Sequence, residues 1–308
     1  MELNLIGFES LGVRSQATFI QVKNANIFID PSAALAPRRY GLPPHRLEAK
    51  RLLEIFDKIQ DYLIDSDYII ITHYHYDHHD PGRFIDPALF RGKTILLKDF
   101  EKNINFSQRI RAYRFIKMVK DFANNIKVCD GKTFEIGSNK INFSKPLPHG
   151  SNTRLGFVVS VCIKDDYEVL FTSDIEGGSS QEHSFLYDFC KPYIAIVDGP
   201  PTYLMGYSFS EEELNNSLNF LKTFISKNLG TLRQIVLDHH IFRDANYVSV
   251  VQNLRSYSTH IEIKTAAELM GLEPQPLEAF RKGLYTVSNE SGLDMLKESM
   301  RYGDNLDE

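Results

Sequence analysis

Residues 69–80 read Ile69-Ile70-Ile71-Thr72-His73-Tyr74-His75-Tyr76-Asp77-His78-His79-Asp80, a buried-strand signal that runs straight into four histidines and two aspartates. Side chains alternate faces along a strand, so His73, His75 and Asp77 point the same way from a strand end and its first loop turn. His78 follows Asp77 and serves a neighbouring position once the chain turns. Imidazole and carboxylate in one cluster suit zinc, iron or manganese better than calcium or magnesium. Three later segments repeat the form, a strand followed by a ligand-type residue: His149 after 141–144, Asp174 after 168–172, and Asp238-His239-His240 after 234–237. Each alone is weak. Together they mark strand C-termini, where open sheets build their sites. Seven ligand-type residues exceed what one tetrahedral ion uses. Two ions ~3.5–4 Å apart share a water and lower its pKa toward ~7. The chemistry such a cluster offers is hydrolysis.

Convergence of these residues requires strands that end together. β-formers separated by turn residues predict strands over 3–8, 17–23, 26–29, 68–72, 94–97, 127–129, 141–144, 156–163, 168–172, 194–197 and 234–237. Helical periodicity predicts helices over 45–63, 107–123, 210–227 and 246–258. Ser210 with Glu213 three residues on is a capping-box pattern that fixes the start of the third. Residues 33–44, rich in Pro, Gly and Arg, read as an irregular loop. From about 266 onward the chain reads as amphipathic helix in pieces, broken by Pro274 and Pro276. Strands in both halves with interleaved helices predict one α/β unit spanning 1–308, two sheets with helices outside and a helical C-terminal extension.

The order HxHxDH, then His, then Asp, then His resembles that of the metallo-β-lactamase superfamily, whose members are four-layer αββα sandwiches and metal-dependent hydrolases. The likeness covers roughly residues 3–245. The form HYHYDHHD, closed by Asp80, is most similar to the branch holding sugar-phosphate lactonases and phospholipase D-type phosphodiesterases. The resemblance implies that His73, His75 and His149 hold a first divalent ion, with zinc expected and iron or manganese as alternatives. Asp77, His78 and a last histidine would hold a second, with Asp174 bridging the two and Asp30 in the role of a structural aspartate. The last motif offers both His239 and His240; His239 is preferred because it follows its strand as His73 follows 69–72. A hydroxide shared by the two ions would attack an ester-type bond, in a phosphodiester, a phosphorylated lactone or a related small molecule. Asp77, beside that nucleophile, would orient it and accept its proton. Asp238 would accept a hydrogen bond from a ligand imidazole.

Two alternatives stay on the same fold, a nuclease and an iron-dependent oxidoreductase. Diiron oxygen-reducing members carry Glu where His75 stands and a flavin domain for which no length remains here. The His79-Asp80-Pro81 sequence replaces the His-x-x-Gly ending of glyoxalase-type and transfer-RNA-processing members, which speaks against those two activities. Residues 91–127 hold ten Lys and Arg against three acids, and Arg109, Arg114, Lys117 and Lys120 share one face of the predicted helix. A solvated face explains this better than a nucleic-acid surface. Arg39 and His45, in or beside the loop after Asp30, are candidate substrate contacts, as is His240; His183, Tyr203 and Arg243 are weaker ones.

Composition sets the outer bounds. The chain has 308 residues, 43% hydrophobic and 24% charged, which excludes disorder and a disulfide-dense scaffold. No apolar run approaches the ~20 residues of a membrane span, and Met1-Glu2-Leu3-Asn4 carries no secretory features, so a cytoplasmic protein is expected. The net charge of −5 argues against bulk affinity for nucleic acid or anionic membrane, leaving a small-molecule substrate as the expected partner. The three cysteines, Cys129, Cys162 and Cys190, form no metal or disulfide motif and read as reduced core thiols.

Overall fold

The computed structural model describes residues 1–301. The N-terminal sheet runs in chain order: β1 (Glu2–Phe8), β2 (Gln16–Val22), β3 (Ala25–Ile29), β4 (Tyr68–Ile71), β5 (Thr94–Leu97) and β6 (Asn125–Val128). Its first three strands are antiparallel neighbours, and β3 to β6 are parallel. The second sheet opens with the hairpin β7 (Thr133–Ile136) and β8 (Asn139–Phe143). A two-residue ladder, β9 (Leu147–Pro148) with β10 (Phe157–Val158), stands apart from both sheets. The chain then returns as β11 (Val161–Lys164), β12 (Glu168–Phe171), β13 (Ile194–Asp198), β14 (Gln234–Asp238) and β15 (Glu262–Lys264), giving the order β15-β14-β13-β12-β11-β8-β7.

Alternation along these strands builds three apolar layers. In β4, Ile70 faces the opposite sheet while Ile69 and Ile71 face helices; in β14, Val236 faces inward while Ile235 and Leu237 face out. One outer layer packs under α1 (Arg46–Asp65) and α2 (Phe106–Val119). The other lies under the short α3 (Leu186–Phe189), α4 (Glu211–Asn228) and α5 (Val248–Tyr257). The result is a four-layer αββα sandwich, the expected fold class. The predicted capping box is present: Glu213 N–H donates to Ser210 Oγ at 3.1 Å and Ser210 N–H to Glu213 Oε2 at 2.7 Å.

Residues after β15 form α6 (Ala266–Leu269), α7 (Arg281–Val287) and α8 (Leu293–Ser299). α6 packs beside β1 and β14, while α7 and α8 fold back on α1, where the buried Arg281 guanidinium forms a two-pronged pair with the buried Glu48 carboxylate at 2.8 and 2.9 Å. Residues 302–307 of the expected helical tail lie outside the described residues. Among the described residues no helix is long and apolar enough to cross a membrane.

Three expectations need correction. The run 156–163 is two strands, because Val158 pairs with Leu147 whereas Val161 pairs with Phe143 and Phe171; the chain changes sheets at Val159-Ser160. The strands β7 and β15 alternate polar and apolar residues but, at four and three residues, are too short for that alternation to stand out. Cys162 and Cys190 are joined in a disulfide across 28 residues, with Cα atoms 6.0 Å apart, and only Cys129 is a free buried thiol. That pairing is tertiary: β11 and the segment after α3 both face the apolar layer under α4, and no local spacing announces it.

Candidate metal centre

Each expected metal ligand stands at the C-terminal end of a strand or in the turn that follows it. β4 leads into His73, His75, Asp77 and His78; β9 into His149; β12 into Asp174; β14 into His239 and His240. Val159 N–H donates to Thr72 O at 3.2 Å, which stitches the two sheets together beside His73. Asp30, Ser173, Glu176 and His239 all have positive φ, between 47° and 64°. Such backbone is costly for residues with a Cβ, and it persists where the surroundings over-determine it, commonly at functional sites.

The imidazoles converge on Asp174, whose two oxygens face different sets. Oδ2 lies 3.2 Å from His149 Nε2 and 3.5 Å from His73 Nε2, and His73 Nε2 is 3.2 Å from His75 Nδ1. Oδ1 lies 3.2 Å from His78 Nε2 and 3.3 Å from His239 Nε2. Asp77 closes the second set, 3.9 Å from His78 Nε2 and 4.0 Å from His239 Nε2. Donor atoms of His73, His75, His149 and Asp174 fall within 4.8 Å of one another, and so do those of Asp77, His78 and His239. His78 Nε2 and both ring nitrogens of His149 are buried with no hydrogen-bond partner among the described residues. Buried polar atoms left unpaired are costly and call for an explanation, which a cation held by this donor set supplies. The residues present therefore fit a pair of divalent ions.

The outward nitrogens of His78, His239, His240 and His149 each face an acid, whereas His73 Nδ1 faces the Thr72 and Ser173 hydroxyls and His75 Nε2 the Gln108 amide. Asp30 accepts from His78 Nδ1 at 2.8 Å, and also from Thr72 N–H at 2.8 Å and Thr72 Oγ1 at 2.6 Å. Glu9, at the end of β1, accepts from His239 Nδ1 at 2.8 Å. Asp198, at the end of β13, lies 3.0 Å from His240 Nδ1 through both oxygens. Glu176 Oε1 is 3.6 Å from His149 Nδ1. Gly150, with φ +77°, permits that approach, since a Cβ there would collide with the Glu176 carboxylate. Such acids fix the tautomer and raise ligand basicity. Of the four, only Asp30 was anticipated.

Charge balance follows from this packing. Burial opposes the charged form of His78, but Asp174, Asp30 and Asp77 outweigh it and hold its pKa up at about 10. Burial likewise opposes a charged His149, while Asp174 and Glu176 raise it to about 9. His73 is pushed down to about 3 by burial and by the neighbouring His78. Burial favours a neutral Asp77, yet His78, Arg243 and His239 keep its carboxyl well below the usual range. Protons on imidazoles thus neutralise the acids until a cation displaces them.

Several candidates have other roles. Asp238 accepts from three backbone amides, those of Ser10 (3.1 Å), His239 (2.8 Å) and Ala266 (2.9 Å), and from no imidazole, which corrects its expected role. Its neighbour Glu9 does that work. His45 is the buried N-cap of α1: its Nδ1 accepts from Leu47 N–H at 3.2 Å and its Nε2 lies 2.9 Å from Ser288 O, so it is a structural cap and not a substrate contact. Arg39 does reach the site's border, donating from Nη2 to Arg243 O at 2.9 Å, between the rings of Tyr40 and Tyr203. His183 donates from Nε2 to Pro148 O, 2.9 Å away, and supports the strand before His149. His79 packs on Phe115 and contacts His75 O at 3.0 Å, and Asp80 collects the amides of Gly82, Phe84 and Ile85 at 2.9–3.1 Å. Both shape the loop.

Beyond Glu9, Asp198 and Glu176, sequence reasoning missed two buried amides. Gln16 Nε2 donates to Asp174 Oδ1 at 3.1 Å, and Gln108 Nε2 lies 3.5 Å from His75 Nε2. An isolated Gln gives no signal in a sequence. Arg243 was ranked low there, yet its Nη2 is 3.2 Å from Asp77 Oδ2.

Over 94% of both chains, a UPF0282 protein of Sulfurisphaera tokodaii is 44% identical to this one. The chain belongs to the UPF0282 family. A second UPF0282 relative, from Saccharolobus solfataricus, is also 44% identical over 94% of each chain. No family model matches. A solved structure from Veillonella parvula, of a possible metal-dependent hydrolase, is similar to this UPF0282 chain with a TM-score of 0.52 at 13% identity, covering 83% of this chain and 95% of that one. At that identity the likeness is one of fold. The UPF0282 chain shares that fold, and its four-layer αββα order is the one its histidine motif implies.

Proposed function

We propose that this UPF0282 protein is a metal-dependent hydrolase with a dinuclear centre that cleaves an ester-type bond in a small anionic molecule, a phosphodiester or a phosphorylated lactone. The observation that carries the reading is Asp174, which turns one oxygen to His73 and His149 and the other to His78 and His239. In this reading His73, His75, His149 and Asp174 hold one ion, and Asp77, His78, His239 and Asp174 the other. Nitrogen and carboxylate donors favour zinc. Bound divalent ions supply an acidified water and polarise the oxygen under attack.

The chain's own residues supply the rest. Asp30 and Glu9 hold His78 and His239 with their Nε2 atoms inward. Asp77 keeps a 13% exposed side chain and is held ionised by His78, Arg243 and His239, so it orients a water well and takes up a proton poorly. Guanidinium groups stand over aromatic rings of neighbouring segments: Arg111 and Arg83 lie 4.5 and 5.0 Å from the ring of Tyr76, which precedes Asp77, and Arg39, bonded to Arg243 O, lies 4.7 Å from Tyr40 and 4.8 Å from Tyr203. These cations support an anionic substrate. His75 in the place of the diiron members' Glu supports hydrolysis over oxygen chemistry.

The test is turnover of a chromogenic phosphodiester by the full chain. Chelation is expected to abolish hydrolysis, added zinc or manganese to restore it, and Asp77→Asn to cripple it. Hydrolysis that survives both chelation and Asp77→Asn refutes the proposal.

A further inference from the structure

We propose that the two halves of this centre take up their cations unequally, because Arg243 already holds the half built from Asp77, His78 and His239. This deepens the dinuclear reading above and rests on it. The half formed by His73, His75 and His149 touches the other half through the His78 ring, 4.0 Å from that of His73; its remaining polar contacts are among its own rings, with Asp174, and with Thr72, Ser173, Gln108 and Glu176, and no guanidinium is among them. The other half differs. Arg243 Nη2 sits 3.2 Å from Asp77 Oδ2 and 3.1 Å from His239 Nε2, so one guanidinium nitrogen serves two of the donors that a cation would need. Gln16 Nε2 donates to a third, Asp174 Oδ1, at 3.1 Å.

This guanidinium is built in. Its Nε donates to Glu9 Oε1 at 2.7 Å, the side chain is buried, and Arg39 grips the carbonyl of the same residue at 2.9 Å. Glu9 also orients His239 through its other oxygen, so Arg243, Glu9, His239 and Asp77 form one linked set. A guanidinium keeps its charge at any pH the protein meets, so it stays a fixed cation in this half. A cation entering this half must push a fixed positive charge off Asp77 and His239 and then remain beside it at short range. A cation entering the other half meets no such competitor in those contacts. The first half therefore fills at lower metal concentration, and Arg243 is a positioning residue that sets the threshold at which the second fills.

The experiment is a zinc titration of the metal-stripped full chain by calorimetry, with bound metal counted after equilibrium dialysis. A parallel cobalt titration reads the visible spectrum of each equivalent. The wild type is expected to take one equivalent tightly and a second with a Kd at least about tenfold higher, the size typical of changes around a metal's ligands. His149→Ala is expected to remove the tight step and His239→Ala the weak one. Arg243→Met is expected to bring the two Kd values within about threefold. Two equivalents of equal affinity in the wild type overturn the inference, as does a tight step lost with His239→Ala, or a gap unchanged in folded Arg243→Met. Should Arg243→Met fail to fold, the wild-type isotherm and the two histidine variants decide. Absence of any zinc binding refutes the dinuclear reading itself, whereas two cations bound without hydrolysis refute only the proposed activity.

Discussion

Asp30→Asn isolates the contribution of a buried carboxylate with little change in shape. Asp30 has φ +49°, a conformation that asparagine also tolerates, so the substitution adds no backbone strain. Its Oδ1 accepts from Thr72 N–H at 2.8 Å, and its Oδ2 accepts from Thr72 Oγ1 at 2.6 Å and His78 Nδ1 at 2.8 Å. All three donors point at acceptors, and an amide offers only one oxygen. Turned toward His78, the Asn oxygen leaves its NH2 against the Thr72 amide; turned the other way, it leaves the NH2 against the imidazole. Either orientation strands a buried donor, at a cost of about 1–3 kcal/mol. The bonds that survive lose their charge assistance, which roughly halves their strength.

The expected loss of stability is therefore ~2–4 kcal/mol, measurable by denaturant titration in the presence of a chelator so that metal does not contribute. Metal binding should suffer too, since removing such an orienting acid costs roughly 10–100-fold in affinity. A competition assay with a chromogenic chelator at fixed pH reads this directly. Affinity within twofold of the wild type, together with unchanged stability, would show that Asp30 neither supports Thr72 nor fixes His78.

Metal binding by the stripped protein should release protons. His149 is raised to about 9 and His78 to about 10, both above the ordinary histidine value, so both carry protons at pH 7 and must give them up. Release of at least two protons at pH 7, His239 also being raised well above its ordinary value, should fall as the pH passes through 9 and 10, and apparent affinity should rise with pH below that window and level off across it. Calorimetry in buffers of different ionisation enthalpy counts them, and a constant number from pH 7 to 10 contradicts the charge balance. Arg281→Met leaves the buried Glu48 carboxylate without its two-pronged partner, an expected loss of ~3–5 kcal/mol, with part regained in the Glu48→Gln/Arg281→Met double variant. Thermal unfolding reads it, and a double variant no better than the single one contradicts the pairing. Gly150→Ala should displace Glu176 from His149 and destabilise the loop by ~1–3 kcal/mol; unchanged metal affinity in this variant would remove Glu176 from the centre.

Much of the scaffold was legible because its signals are local. Buried strands 68–72 and 234–237 announce themselves as apolar runs, and the ligand-type residues follow within one turn. Ser210 and Glu213 lie within a single helical turn, so the start of α4 fell within one residue of expectation. What was not legible is tertiary. Glu9 meets His239 across 230 positions, and Gln16 meets Asp174 across 158. The Cys162–Cys190 bond fails to show for the same reason. Asp238 was misread because adjacency in sequence suggested a partner for His239, while strand geometry turned its carboxylate back onto the amides of Ser10 and Ala266.

The same geometry explains how residues from both sheets converge on so small a volume. Phe8 precedes Glu9, Ile29 precedes Asp30, and Ile70, Phe171, Ile196 and Val236 stand two or three positions before Thr72, Asp174, Asp198 and His239. All six of these apolar residues belong to the layer between the sheets. Each strand therefore anchors its last inward-facing side chain in that close-packed layer just before delivering its polar residue. Close packing resists small shifts and transmits strain. A carboxylate on β1 and an imidazole after β14 hold a 2.8 Å contact because the apolar layer beneath them fixes where both strands end. The inter-sheet core is thus the part of the fold that sets the centre's dimensions.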